Sequence, residues 1–188
     1  MAKVVKIALA GEGGQGIQSV AQIMTNAAND EGKEALYIPN FGVEQRGGVS
    51  IAYCQISEER IGAPKFEIAD IVIALSARAV KRTQQYVGLK TVFIYDSSIT
   101  EIEEYLPKNA QKVLAIPALQ ISKEELHPRV FNVVILGATL KATGVLTMEQ
   151  AKRALDKKLG YKFEQNPDLR DLNYKALERG AELVENLM

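Results

Sequence analysis

A buried strand that ends in glycines and turns straight into a helix restricts the folds open to a chain, and this sequence begins that way. The apolar run at residues 4–10 is followed by Gly11-Glu12-Gly13-Gly14-Gln15-Gly16, then by Ile17, Val20, Ala21, Met24, Ala27 and Ala28 at helical period. Such a loop exposes backbone N–H groups at a helix N-terminus, where it can hold an anion or pack close to another backbone. The spacing of Gly11, Gly13 and Gly16 also satisfies the dinucleotide fingerprint. That fingerprint needs an Asp or Glu at the end of the second strand to hold a ribose. Here that strand ends Ile38-Pro39-Asn40, and Glu34 lies at its wrong end, so negligible NAD(H) binding is expected. No Gly-Lys-Ser/Thr follows the loop, which excludes a P-loop.

Strands are predicted at residues 4–10, 34–38, 49–56, 69–75, 91–95 and 112–116. Helices are predicted at 17–30, from a Ser76 cap to about 86, at 129–143, from a Thr147 capping box to about 159, and beyond Asn166-Pro167. Alternating strands and helices imply a Rossmann-like α/β fold. The expected architecture is a three-layer α/β/α sandwich with a mainly parallel, mixed sheet and a helical C-terminal third. The third strand, tied to its neighbours by turn-rich segments, is the one that can run antiparallel. With no repeat, linker or low-complexity tract in 188 residues, a single domain over 1–188 is expected.

Lys+Arg and Asp+Glu are equal at 23 each, so no global field draws in nucleic acid or a membrane surface. The one cysteine, Cys54, cannot form an internal disulfide or hold an iron–sulfur cluster, and its strand context suits a buried, inert thiol. A single histidine without clustered carboxylates argues against a catalytic zinc. His127, just before Pro128, is expected at the surface or in a helix cap. The N-terminus does not read as a signal peptide and no apolar run approaches a membrane span, so a cytoplasmic location is expected.

A second glycine cluster, Phe41-Gly42-Val43-Glu44-Gln45-Arg46-Gly47-Gly48, feeds the third strand. Arg46 can offer a planar fork to a phosphate or carboxylate, or it can pair with Glu44 in a structural contact at a subunit interface. The candidate ligand or interface residues are therefore Gly11, Gly13, Gly14, Gln15, Gly16, Glu44, Arg46, Gly47 and Gly48, with no catalytic residue and no metal site. A β-branched side chain at Gly13 or Gly16 is expected to destabilise the first loop.

The segments GEGGQGIQS (residues 11–19), FGVEQRGGVS (41–50), APKFEIADIVIAL (63–75) and NVVILGA (132–138) carry a resemblance. Together they resemble the gamma subunit of the 2-oxoacid:ferredoxin oxidoreductases, whose members act on pyruvate, 2-oxoisovalerate, 2-oxoglutarate or indolepyruvate. The likeness runs from about residue 3 to 144. One departure is Ala69 before Asp70, where family members often carry proline; the segment after Gly144 has no usable family signature. The resemblance implies a chain that is not catalytic alone, inside an enzyme that decarboxylates a 2-oxoacid oxidatively to an acyl-CoA and reduces ferredoxin. Thiamine diphosphate, magnesium, iron–sulfur clusters and coenzyme A are implied for the full complex and none of them for this chain alone. The implied partners are alpha and beta subunits, with a delta subunit as a further candidate, and ferredoxin through the complex. The rival reading is a stand-alone Rossmann-like nucleotide-binding regulatory module.

Overall fold

Ile7, Ala8, Leu9 and Ala10 are all fully buried, so the strand they form must be covered on both faces and flanked on both edges. The computed structural model, which describes residues 4–41 and 48–187, places it at the centre of a six-stranded sheet. That strand is β1 (Val5–Glu12). It is followed by α1 (Ile17–Asp30), β2 (Glu34–Asn40), β3 (Val49–Ser57) and β4 (Ile71–Ala74). Next come α2 (Ala77–Thr83), β5 (Val92–Asp96), β6 (Lys112–Ile116) and α3 (Ala118–Glu124). The chain ends in α4 (Phe131–Thr143), α5 (Met148–Gln165) and α6 (Asp168–Glu185). The strand order is β2-β3-β1-β4-β5-β6. β1, β4, β5 and β6 are parallel, while β3 runs antiparallel to both β1 and β2 and separates them.

Strand alternation divides the apolar residues into two cores. Ile7, Leu9, Ile71, Ile73 and Ile94 face the core shared with α1, α3, α4, α5 and α6. Ala8, Ala10, Val72, Ala74 and Phe93 face the smaller one shared with α2. This is the expected Rossmann-like sandwich with a mixed sheet, but its helical layers are unequal. From Val133 to Leu140 every residue is buried, which makes α4 a core helix. It crosses α6 at Gly137 and Gly180, where a Cβ on either glycine would stand 1.9 Å from a backbone carbonyl oxygen of the other helix.

Several boundaries move for non-local reasons. Gly11 and Glu12 belong to β1 rather than to the loop, because Ser50 and Val49 of β3 pair with them. Ala69 and Asp70 precede β4, although their N–H groups donate to the carbonyls of Tyr86 and Lys6. The helix after Ser76 ends at Thr83 and continues as a 3-10 turn, Gln84–Tyr86. α3 is absent from the sequence reading; Asp96 at the end of β5 accepts a hydrogen bond from the Leu119 N–H in its first turn (2.8 Å). α5 runs through Gly160 to Gln165, since burial of Leu155 and Phe163 offsets the cost of a mid-helix glycine, about 1 kcal/mol. At the start of α6, Asn166 is extended and its backbone carbonyl accepts from Leu169 N–H, with Pro167 already in helical dihedrals.

Candidate functional site

The carboxyl ends of β1, β4, β5 and β6 share one edge of the sheet, and the end of β2 and the start of β3 lie there too. In open α/β sheets ligands gather where the chain departs in opposite directions from neighbouring strands. Here that point lies between β1, which feeds α1 on one face, and β4, which feeds α2 on the other. The protein's own side chains cross it. Gln15 accepts a hydrogen bond from Glu12 N–H through Oε1 (2.6 Å) and donates through Nε2 to the Leu75 carbonyl (2.7 Å). Arg78 at the start of α2 donates through Nε to Glu12 Oε1 at 3.0 Å. The Arg78 hydrogen bond holds the Glu12 carboxyl below its ordinary range, more strongly than partial burial pushes it up. A loop closed on itself in this way is a brace rather than an open phosphate nest.

The glycines have unequal roles. Gly16 caps α1 in the left-handed region (φ 76°), and a Cβ there would meet the Asn132 Cβ at 2.7 Å. Gly14 also has positive φ (92°). In Gly11 the space for a Cβ is taken by Gln15 Oε1 at 2.6 Å. Gly13 corrects the sequence expectation: its φ is not positive, and among the described residues no atom lies within 4 Å of a Cβ placed there.

The first glycine loop leaves the sheet beside the start of β3. Gly11 and Glu12 pair with Ser50 and Val49, so Gly13 and the half-buried Gly48 leave the sheet side by side. The Gln18 amide donates to Ser50 Oγ and accepts from the Tyr37 hydroxyl, which ties α1 to β3 and β2. Glu44, Arg46 and Gly47 lie outside the described residues. Gly14, Gln15 and Gly16 line a cleft of about 460 Å³ with Leu119, Arg129 and Asn132. Asn40, at the end of β2, instead lines a separate cleft of about 590 Å³ with Phe41, Tyr53, Lys65, Phe66 and Tyr86. The glycine loop and the strand end that would hold a ribose therefore face different spaces.

Sequence reasoning missed the Glu12–Arg78 pair, whose members lie far apart in the chain. It also passed over Asp96, although a carboxylate ending an apolar strand before two serines is a capping signal. His127 accepts from the Arg129 N–H through Nδ1 (3.1 Å) and so caps the 3-10 turn Pro128–Val130 that leads into α4. Cys54 is fully buried, and burial pushes its thiol up to about 12. Among the described residues no group of His, Cys, Asp and Glu could hold a metal ion, and no helix is long and apolar enough to cross a membrane.

The family model for pyruvate ferredoxin/flavodoxin oxidoreductase matches residues 6–183. The chain belongs to this family. It is 33% identical over 158 residues to the pyruvate/ketoisovalerate oxidoreductases common subunit gamma of Pyrococcus abyssi, covering 81% of this chain and 85% of that one. It is 30% identical over 178 residues to ketoisovalerate oxidoreductase subunit VorA of Methanothermobacter thermautotrophicus, covering 95% of this chain but 36% of VorA. Among solved structures it is similar to the 2-oxoglutarate:ferredoxin oxidoreductase of Magnetococcus marinus, which has 2-oxoglutarate, coenzyme A and succinyl-CoA bound. That match has a TM-score of 0.88 at 25% identity and covers 99% of this chain and 32% of the other. The family member described here thus spans about a third of the length of some relatives and most of the length of others.

Proposed function

We infer that this chain is the gamma component of a multisubunit 2-oxoacid:ferredoxin oxidoreductase, with residues 1–188 acting as one gamma-type domain in the cytoplasm. The observation that carries this is the match to a common subunit gamma over 85% of that polypeptide's length. The enzyme converts a 2-oxoacid, coenzyme A and oxidised ferredoxin into an acyl-CoA, CO2 and reduced ferredoxin. Thiamine diphosphate with magnesium belongs to companion alpha and beta chains, and the iron–sulfur clusters to cysteine-rich chains or domains. One cysteine, Cys54, is too few for a cluster, and its buried, protonated thiol is neither a ligand nor a nucleophile.

What this chain supplies is a braced sheet edge. Gln15, the Glu12–Arg78 pair and the Tyr37–Gln18–Ser50 chain fix the first glycine loop and α1 against β2, the start of β3 and α2. In this reading Gly11, Gly14, Gln15 and Gly16 are structural supports. Glu44, Arg46, Gly47 and Gly48 form the segment that meets coenzyme A or a companion subunit.

The test is co-expression of the tagged chain with the companion chains of its native organism. The complex should carry thiamine diphosphate and iron–sulfur absorbance and reduce ferredoxin with a 2-oxoacid and coenzyme A. The single chain should show no turnover under the same conditions. A chain that turns over 2-oxoacid alone, or that never co-purifies with such partners, refutes the assignment.

A further inference from the structure

On the side of the molecule away from α2, a groove of about 540 Å³ runs between α1, the start of α4, the second half of α5 and the first half of α6. Its floor is apolar, with Ile23, Val133 and Leu155 buried and Leu159 and Leu172 partly so. Arg129, Lys158 and Lys162 stand along it with the exposed ring of Tyr161, and no carboxylate is among the described residues that line it.

Most other cations on α5 and α6 are paired with carboxylates. On α5, Lys152 pairs with Glu149 and Glu178, Arg153 with Glu31, and Lys157 with Asp30. On α6, Arg170 pairs with Asp156, and Arg179 with Glu125 and Glu182. Among the described residues Arg129, Lys158 and Lys162 have no carboxylate partner. Lys158 reaches only Gln22 Oε1, at 3.4 Å, and Lys162 lies 5.6 Å from the centre of the Tyr161 ring. In a chain whose charges balance at 23 against 23, three cations without a carboxylate partner along one apolar groove form a local field awaiting its complement.

Resting on the gamma-subunit reading, we propose that this groove docks an acidic segment with apolar side chains on the companion subunit. In VorA and the Magnetococcus marinus chain the matching region is about a third of a longer polypeptide, so covalent linkage joins it to further protein there. Under the gamma-subunit reading, supported by the match to a common subunit gamma, this region holds that partner through surface contacts. The companion subunit meant is the one that corresponds to the remainder of those longer relatives. Apolar side chains fill the floor, and carboxylates meet Arg129, Lys158 and Lys162. Tyr161 supplies the rigid amphipathic anchor that interfaces favour.

The experiment measures assembly of the purified chain with that companion subunit at low and high salt. Wild type should assemble tightly at about 0.05 M salt and more weakly at about 0.5 M, where screening shortens the reach of charges to a few ångströms. Lys158→Glu with Lys162→Glu should lower the affinity at least tenfold at low salt and abolish the salt dependence. Lys158→Gln with Lys162→Gln should fall between, and Lys90→Glu with Lys108→Glu, an equal charge change elsewhere, should match wild type. Thermal unfolding of each variant alone separates a docking defect from a folding defect. If the reversed variant is misfolded, the neutral pair decides: assembly at wild-type strength overturns the proposal. Unchanged assembly of a folded reversed variant overturns it as well, as does normal assembly with a raised KM for coenzyme A, which would make the groove a small-ligand site. A wild-type chain that fails to assemble at all refutes the subunit reading, a result distinct from either of these.

Discussion

Gly180→Ala should unfold this protein several degrees earlier than wild type, although alanine is the better helix former. A Cβ at Gly180 would stand 1.9 Å from the Val134 carbonyl oxygen, and one at Gly137 would stand equally close to the Leu177 carbonyl oxygen. Both obstacles are backbone atoms in regular helix, so no side-chain rotation relieves them. α4 and α6 must separate by about 1 Å or more to restore van der Waals distance, and a gap of that size forfeits roughly a quarter to a half of each contact's attraction. Overpacking of this kind costs about 1–3 kcal/mol, and the rigid neighbours favour the upper part of that range. Alanine returns about 0.8–1.0 kcal/mol through its helix propensity. The net loss is about 2 kcal/mol, or roughly 4–8 °C in Tm for a chain of this size. Gly160→Ala is the internal control, since Gly160 lies within α5 with no atom in reach of a new Cβ. It should raise Tm by about 1–4 °C. Gly137→Ala combined with Gly180→Ala should cost less than the sum of the singles, because one separation relieves both clashes. Thermal unfolding followed by far-UV circular dichroism reads all four. A Gly180→Ala variant as stable as wild type, or more so, refutes the close-crossing argument.

In the first glycine loop, Gly16→Ala should cost about 1–3 kcal/mol, since φ is 76° and Asn132 occupies the Cβ position, whereas Gly13→Ala should be nearly silent in the same melt. Arg78, Arg153 and Arg179 hold Glu12, Glu31 and Glu125 below their ordinary carboxylate range through hydrogen bonds. A folded-state value below the unfolded one stabilises the protein above the ordinary range, and that stability is lost as pH falls below about 4. Denaturant titrations at stepped pH should therefore show stability falling on the acid side, with a shallower fall in Arg78→Ala. Burial raises the Cys54 thiol to about 12, so a thiol reagent at about pH 8 should label it only after denaturant is added; rapid labelling of the native chain would refute its burial.

Much of the fold is written locally. β1 and its glycines, the span of α1, the apolar block at β4, the Thr147 capping box and the Gly144 stop each rest on residues within a turn or two of one another. The α/β class follows from their alternation. The candidate site is drawn from two glycine clusters, because glycines at those spacings are local features; of the second, residues 42–47 lie outside the described residues. What each glycine does is not local: Gly16 is constrained by Asn132 and Gly11 by Gln15, whereas no described residue comes as near to Gly13. Gln15 could be singled out, but its acceptor, the Leu75 carbonyl, is 60 residues away.

Local sequence specifies the strands and every α-helix but α3, leaves Cys54 with no second cysteine in the chain, and carries the motifs that resemble the family. Those properties depend on residue chemistry and short-range periodicity, which a single strand or helix already expresses. The insertion of β3 between β1 and β2, the burial of α4 on every side and the crossing at Gly137 and Gly180 were decided only in tertiary structure. So were the Glu12–Arg78 bridge and the row of unpaired cations beside Tyr161. Each of these is a meeting of residues far apart along the chain. Ladder pairing, close approach of two backbones and the presence or absence of a counter-ion are set by distances in space, and no local pattern of residues encodes them.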